Sequence, residues 1–236
     1  MVEHAIPTIE EVRAAQERIA GEVLRTPLVR LNVDDAPAEV YLKLENLQPV
    51  GSFKLRGATS AVRLIPEAEM ERGVWTVSAG NMAQGLSWAA RRLGVNCTAV
   101  VPENAPEAKL ANIRRLGGSF VKASFEEFTA IWGTREKDGV EGRLVHPFSD
   151  PAVLAGNGTI ALEILEDLPD VDTIVVAWGG GGLCTGIAAA IKAVRPQVKV
   201  YACEAETSSP LASALEAGGP VRVDYSLSFV DGIGSP

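Results

Sequence analysis

The 236-residue chain is 47% hydrophobic and 22% charged, a composition that excludes an intrinsically disordered protein. Its formal net charge of −8 argues against a protein whose main role is to bind nucleic acid or an anionic membrane surface. The length allows one large domain or two small ones.

The N-terminus and the cysteines favour a cytoplasmic protein. Residues 1–8 lack the basic and apolar regions of a signal peptide, and no window holds the ~20 apolar residues of a membrane helix. Cys97, Cys184 and Cys203 are odd in number, far apart and set in apolar runs. We therefore expect buried thiols in a reducing compartment rather than disulfides or a metal site.

The first predicted element is a helix. Thr8 and Glu11 form a T-x-x-E capping box, and apolar residues recur at helical spacing from Ile9 to Ile19 before Gly21 ends the run.

A short strand and a second helix are predicted next. Residues 40–44 alternate apolar and polar like a half-buried strand. The segment from Ser52 to Ile65 is then predicted as a helix that Ser52 caps, with Lys54 in its first turn.

The rest of the chain alternates strands with helices. Strand-like apolar runs lie at residues 74–77, 97–101, 119–121, 173–177 and 198–203, and each precedes a helical pattern. This alternation predicts an α/β fold with parallel or mostly parallel sheets covered by helices on both faces.

Two seams interrupt the pattern, one at Ile65–Pro66 and one around residues 137–143. We expect a small domain over residues 67–145 and a large domain built from residues 1–66 and 146–236.

Four consecutive glycines, Gly179, Gly180, Gly181 and Gly182, join a β-branched strand to a helix. Glycines let backbone N–H groups approach a ligand, and the helix start adds its positive dipole end. A phosphate is the expected guest, although a tight turn would also use glycine. Since neither a P-loop lysine nor a true dinucleotide fingerprint is present, a small phosphorylated cofactor or substrate is favoured over ATP and NAD.

Two further segments carry candidate chemistry. Lys54 follows a turn at Gly51, and a lysine at a helix start holds its proton less firmly, which suits an amine that forms an imine. Residues 77–85 form a strand end and a helix start, where Asn81 and backbone N–H groups could receive a carboxylate or a ring oxygen. Alone, the first could be a surface lysine and the second an ordinary helix start.

Taken in order, five phrases of the chain resemble a known family: ENLQPVGSFKLRGA, SAGNMAQG, AGNGTIALEIL, GGGGL and CEAE. They look like the lysine segment, substrate loop, inter-domain segment, phosphate loop and late acidic strand of the fold-type II pyridoxal 5'-phosphate (PLP) enzymes. The chain is most similar to the serine/threonine dehydratases (threonine deaminases), from about residue 22 to 236. The resemblance implies the tryptophan synthase β-like fold, with two domains and the cofactor between them.

The resemblance also assigns roles. Lys54 would hold PLP as a Schiff base and take the proton from the substrate Cα, Phe53 would pack against the cofactor ring, and Asn81 would hydrogen-bond its 3'-oxygen. The backbone N–H groups that would bind the cofactor phosphate are those of Gly179, Gly180, Gly181, Gly182 and Leu183. The loop that would bind the substrate carboxylate consists of Ser78, Ala79, Gly80, Asn81 and Met82.

The activity implied is the β-elimination (dehydration and deamination) of L-threonine, L-serine or a related β-hydroxy amino acid to a 2-oxo acid and ammonia, in a homodimer. Met82 stands where many relatives have His, which leaves room for a bulkier substrate. Ala79 stands where related racemases have a serine, so racemisation is disfavoured. Glu204 matches a cation ligand of some relatives, but one carboxylate is not a site, and we expect a capped or paired Glu and no metal.

Relatives continue past the phrase DGI at residues 231–233, and that part normally supplies the partner of the pyridine nitrogen. We therefore expect the 236-residue chain to be a fragment or a shortened form. Three alternatives stay open: β-replacement of the cysteine synthase kind, a non-catalytic PLP-binding protein, and a nucleotide-binding α/β domain that uses only the glycines.

Overall fold

The computed structural model describes residues 6–224, 226, 229–230 and 232–233. The helices are α1 (Ile9–Ile19), α2 (Lys54–Val62), α3 (Glu67–Met70), α4 (Asn81–Arg92), α5 (Glu107–Arg115), α6 (Phe125–Thr134), α7 (Pro151–Asp167), α8 (Gly182–Val194) and α9 (Pro210–Ala217). The strands are β1 (Leu28–Arg30), β2 (Tyr41–Lys43), β3 (Val74–Val77), β4 (Cys97–Pro102), β5 (Ser119–Ala123), β6 (Arg143–Leu144), β7 (Thr173–Ala177) and β8 (Lys199–Cys203).

The strands form parallel sheets with one small antiparallel addition. A four-stranded sheet has the order β5-β4-β3-β6 and is parallel throughout, and β7 pairs with β8 in parallel. The strands β1 and β2 pair antiparallel. Because parallel neighbours need a crossover between them, a helix follows each strand of the two parallel sheets. The α/β fold predicted from the sequence is confirmed.

Helix α7 occupies the centre of the packing and lies against both α2 and α8. Its residue Gly156 lies so close to α2 that a Cβ there would be 2.7 Å from the carbonyl oxygen of Arg56. On the α8 side, a Cβ on Gly186 would be 2.3 Å from the carbonyl oxygen of Leu154. Glycine at these crossings lets the backbones touch, so the starts of α2 and α8 are brought to the same helix.

Two apolar clusters pack on the α8 side and on the α2 side of α7. One packs β7 and β8 against α1, α7 and α8, and includes Val12, Ile174 and Ile191. The other packs α2 and α4 against β3, and includes Val62 and Leu86. Burial of these side chains is the main favourable contribution to folding.

The predicted start of α1 is confirmed. The Thr8 hydroxyl accepts the backbone N–H of Glu11, and the Glu11 carboxylate accepts the backbone N–H of Thr8. Gly21 follows the helix with a φ of 77°, which suits the residue that ends a helical run.

The prediction that Ser52 caps α2 is wrong. The helix begins at Lys54 and ends at Val62, so Phe53 occupies its N-cap position, and no side chain caps the helix there. Ser52 therefore lies one position too early to reach the first N–H groups of the helix. Its hydroxyl is buried and has no hydrogen-bond partner among the described residues.

The four-stranded sheet is built from residues 74–144, inside the segment predicted as the small domain; the division into two domains stays a prediction. Within the part of the chain that the structure describes, no helix is long and apolar enough to cross a membrane.

Candidate active site

Lys54 is the first residue of α2, and although the residue as a whole is partly exposed, its amine is buried. The Nζ atom donates a hydrogen bond of 2.6 Å to the backbone carbonyl of Pro147 and lies 5.3 Å from the centre of the Phe53 ring. Burial disfavours the charged ammonium and lowers the pKa of Lys54 to about 8. An amine with this pKa is partly deprotonated near neutral pH, which a nucleophile or a general base requires.

The glycine run forms a turn that only glycine could make. It joins β7 to α8, and Gly181, just before the helix, has a φ of +83°. Added Cβ atoms would lie 2.5 Å from the Phe148 ring at Gly180 and 2.8 Å from the Phe148 Cα at Gly182. The turn therefore needs bare backbone, and the first N–H groups of α8 lack partners within their own helix.

The segment that follows β6 links the lysine to the glycine turn. Pro147 accepts the hydrogen bond from Lys54, and the next residue, Phe148, packs against Gly180 and Gly182. This chain of contacts places Gly182 Cα no more than about 10 Å from Lys54 Nζ. A small phosphorylated aldehyde could therefore reach both places at once.

The predicted substrate loop joins β3 to α4. The Ser78 hydroxyl accepts the backbone N–H of Gly80 at 3.1 Å, and the side chain of Asn81, the first residue of α4, is exposed. Gly85, one turn into α4, would place a Cβ 3.3 Å from the backbone of Lys54. The helix that carries this loop thus lies directly against the start of α2.

Three of the predicted site residues have side chains that pack into the interior. Met82 is 2% exposed and belongs to the apolar cluster of α2 and α4. Ala79 packs against the cluster that contains Ala99 and Leu110, and Leu183 packs against the cluster of α1, α7 and α8. Any contact of these residues with a ligand would come mainly from their backbone. A role for Met82 in shaping a pocket wall stays a prediction.

Glu204 follows β8 directly, and its carboxylate contacts the start of a helix. Its two carboxylate oxygens accept the backbone N–H groups of Leu211 and Ala212 at 2.7 and 2.9 Å, at the start of α9. This is the capping contact of an acidic side chain with a helix start. Among the described residues, no group of three or more His, Cys, Asp or Glu side chains could hold a metal ion.

Sequence reasoning missed Pro147, Phe148 and Gly85. Pro147 acts through a backbone carbonyl, which every residue type has, so no residue pattern could mark it. The contact of Phe148 with the glycine turn was not predicted, because a lone aromatic residue in a sequence usually belongs to a core. Gly85 offered a weak signal, since a glycine inside a helix costs stability and is often kept for a close contact.

Comparison with known proteins agrees with this geometry. Residues 19–236 match the family model described as pyridoxal-phosphate dependent enzyme. The chain is 42% identical to an L-threonine ammonia-lyase of Thermotoga maritima over 96% of its own length, and 38% identical to the catabolic L-threonine dehydratase of Escherichia coli K12 over 89%. It spans 57% and 65% of the length of these two relatives.

Solved structures extend the likeness to the fold. Maize serine racemase superposes with a TM-score of 0.90 at 33% identity, and the match covers 97% of this chain and 70% of the racemase. With a family model that covers most of its length, a buried lysine beside a glycine turn, and the parallel sheets described above, the chain belongs to the pyridoxal-phosphate dependent enzymes of fold type II, as its sequence motifs predicted.

Proposed function

We propose that this protein is a PLP-dependent ammonia-lyase that converts L-threonine, L-serine or a related β-hydroxy amino acid to a 2-oxo acid and ammonia. The water lost in the elimination is regained on hydrolysis, so the substrate yields those two products and nothing else. The observation that carries the proposal is the buried Lys54 amine, with its lowered pKa, within reach of the glycine turn. Similarity to threonine ammonia-lyase and threonine dehydratase supports the substrate class.

The residues fit the cofactor that defines the family. The bare backbone of Gly180 and Gly182 leaves no side chain between a phosphate and the N–H groups at the start of α8. Gly179, Gly181 and Leu183 complete that set in the proposal. When bound, PLP supplies an electron sink for the bonds at the substrate Cα.

Lys54 would move the proton in this reaction. Its Nζ atom is buried, so the amine holds a proton less firmly than an exposed lysine does and can accept one from the substrate Cα. The carbonyl of Pro147 fixes the amine at a defined place, 2.6 Å away. Phe53, whose ring lies 5.3 Å from Nζ, would form part of the wall beside the cofactor ring.

The loop from β3 to α4 would orient the substrate. The loop of Ser78, Ala79, Gly80 and Met82 would receive the carboxylate. The N–H groups of Ser78 and Gly80 already donate to Val100 and to the Ser78 hydroxyl, so Ala79 and Met82 would supply the N–H groups. The exposed side chain of Asn81 would hydrogen-bond the cofactor's 3'-oxygen. The internal hydrogen bond from Gly80 to Ser78 holds the turn in shape before a ligand arrives.

Racemisation is a second candidate because of the likeness to maize serine racemase. The residue at position 79 argues against it. Ala79 has no hydroxyl with which to deliver a proton to the opposite face of the substrate.

The proposal includes a cytoplasmic homodimer. Cys97 and Cys184 are buried free thiols, but the expectation that Cys203 is buried is wrong, because it lies exposed at the end of β8. Free cysteines of this kind suit a reducing compartment. The dimer follows from the family resemblance and is tested by light scattering.

Product analysis tests the proposal. The protein, supplied with PLP, should release a 2-oxo acid and ammonia in equal amounts from L-threonine or L-serine. A new thioether formed when a thiol is added would favour β-replacement, and conversion of L-serine to D-serine would favour racemisation. A bound cofactor without any of these products would leave a non-catalytic PLP-binding protein.

A further inference from the structure

Arg56, two residues after Lys54, is fully buried between two carboxylates. Along one edge of the guanidinium, Nε and one terminal nitrogen donate to Glu45, both at 2.8 Å. Along the other edge, the two terminal nitrogens donate to Glu163 at 2.6 and 2.9 Å. Two paired contacts of this kind fix the plane of a guanidinium as well as its position.

Each charge of this cluster has a partner of opposite sign. Lys43 lies 2.6 Å from Glu163 and 3.8 Å from Asp167. The side chains of Lys43 and Glu163 are each 7% exposed and that of Glu45 is 13% exposed. Buried charges are tolerated only when they are paired in this way, and removal of one partner leaves another unpaired. Arg56 therefore has one well-defined position.

Arg56 and Lys54 hold opposite sides of the same helix start. Their side chains leave α2 about 200° apart around its axis. Arg56 reaches toward α7 and the segment after β2, while Lys54 reaches the carbonyl of Pro147. No side chain among the described residues caps α2, so these two anchors, together with the close packing of α2 against α7 and α4, resist a rotation or shift of its first turn.

We propose that Arg56 is a positioning residue, which fixes the first turn of α2 so that the Lys54 amine meets the carbonyl of Pro147. This inference rests on the proposed role of Lys54 as the amine that binds the cofactor. The bidentate geometry demands arginine, since a lysine at position 56 keeps the charge but cannot pair with two carboxylates along two edges.

The test compares Arg56→Lys with Arg63→Lys. Arg63 follows the same helix, pairs with Glu22 and is half-exposed, so it is a matched control. In protein freed of PLP, the rate at which Lys54 is acetylated is followed against pH by peptide mass spectrometry. The wild type should show an apparent pKa of about 8 at Lys54. In Arg56→Lys this pKa should rise toward about 10, the value of an exposed lysine, because the amine leaves its buried place.

The same variants are then treated with PLP and borohydride, which fixes the cofactor to an amine. Arg56→Lys should trap at least tenfold less PLP at Lys54 than the wild type, whereas Arg63→Lys should match the wild type in both measurements. An Arg56→Lys protein that is folded by circular dichroism and keeps the wild-type profile at Lys54 overturns the proposal. Arg56 would then serve stability alone.

If Arg56→Lys does not fold, Glu45→Gln decides the question. This variant should still fold, because Glu163 continues to pair with one edge of the guanidinium, but the other edge loses its carboxylate. Loss of a nearby negative charge by itself would lower the pKa of an amine. A rise at Lys54 in Glu45→Gln therefore reports displacement, and an unchanged or lowered pKa in the folded variant contradicts the proposal.

Failure of the proposed function gives a different pattern. In that case wild-type protein would trap no PLP at Lys54, whatever the residue at position 56. The acetylation profiles need no cofactor, so they report on the position of Lys54 independently.

Discussion

Lys54 and the glycine turn both lie at the start of a helix, but the two helix starts are built in opposite ways. The start of α2 is held by side chains, with Arg56 between two carboxylates and Lys54 on a carbonyl. The start of α8 depends on the lack of side chains at Gly180 and Gly182. A reactive amine needs a fixed position, whereas a phosphate needs open backbone N–H groups. The difference therefore follows the chemistry that each place would perform.

The largest effect is expected from Lys54→Ala. The variant loses the amine that would bind the cofactor and move the proton, so release of 2-oxo acid should fall by at least about 10³-fold. Borohydride should fix no PLP to the peptide that contains position 54.

Lys192→Ala is the matched control, because Lys192 in α8 also donates to backbone carbonyls, those of Pro196 and Val198. It should trap PLP as the wild type does. Trapping that persists in Lys54→Ala would contradict the assignment of the amine.

Gly182→Ala tests the other helix start. The new Cβ would lie 2.8 Å from Phe148 Cα, a backbone atom that cannot turn away, so the turn must shift. We expect a loss of about 1–3 kcal/mol in the free energy of unfolding, measured in urea, and weaker PLP binding measured by absorbance titration. Gly133→Ala is the control: it lies in α6, has no atom within 4 Å of a new Cβ, and should stabilise the helix by about 0.5–1 kcal/mol. Equal behaviour of the two variants would show that the turn has no need of glycine.

The pH dependence of the Lys54 reaction distinguishes the two helix starts, because burial shifts the pKa of the lysine while the glycines have no side chain that titrates. The amine reacts with an aldehyde in its neutral form. Since its pKa is about 8, its rate should rise about tenfold per pH unit below pH 8 and level off above it, while an exposed lysine keeps rising to about pH 10. Stopped-flow mixing with a simple aldehyde, followed by reduction and peptide mapping, gives both profiles. A Lys54 profile that coincides with that of an exposed lysine would mean that the amine is not buried.

The smallest effect is expected far from either helix start. Thr8→Ala removes one half of the capping box of α1, which should cost about 1 kcal/mol in the free energy of unfolding, measured in urea. PLP trapping at Lys54 should not change, because α1 contributes no group to the site. Thr8→Ser, which keeps the hydroxyl, should lose much less stability. A fall in trapping for Thr8→Ala would show that the geometry at Lys54 depends on the overall stability of the protein.

Local residue patterns predicted much of the fold. Thr8 and Glu11 mark the start of α1 because a capping box is a contact between residues three apart. The strands at Val74–Val77 and Thr173–Ala177 were predicted at their observed bounds, because β-branched runs between turns are a short-range signal. The same kind of reasoning failed at Ser52, because the helix begins at Lys54 and the Ser52 hydroxyl makes no hydrogen bond to its first N–H groups.

In the candidate site, too, residue types could be predicted from the sequence but contacts between distant residues could not. The residue types of Lys54, Asn81 and the four glycines made them candidates by sequence alone, since the sequence states directly where an amine or a run of residues without side chains occurs. Their relation to one another was not visible. Pro147 is 93 residues from Lys54 along the chain, and Glu163 is 107 residues from Arg56.

The sequence by itself determined the alternation of strands and helices, the bare glycine turn and the place of Lys54 in a first helical turn, because each depends on neighbours within a few residues. Only the tertiary structure decided that Pro147 receives the Lys54 amine, that Phe148 lies against the glycines and that two carboxylates hold Arg56. These contacts join distant segments through a backbone carbonyl, a close approach and a buried charge pair, and packing alone brings such groups together.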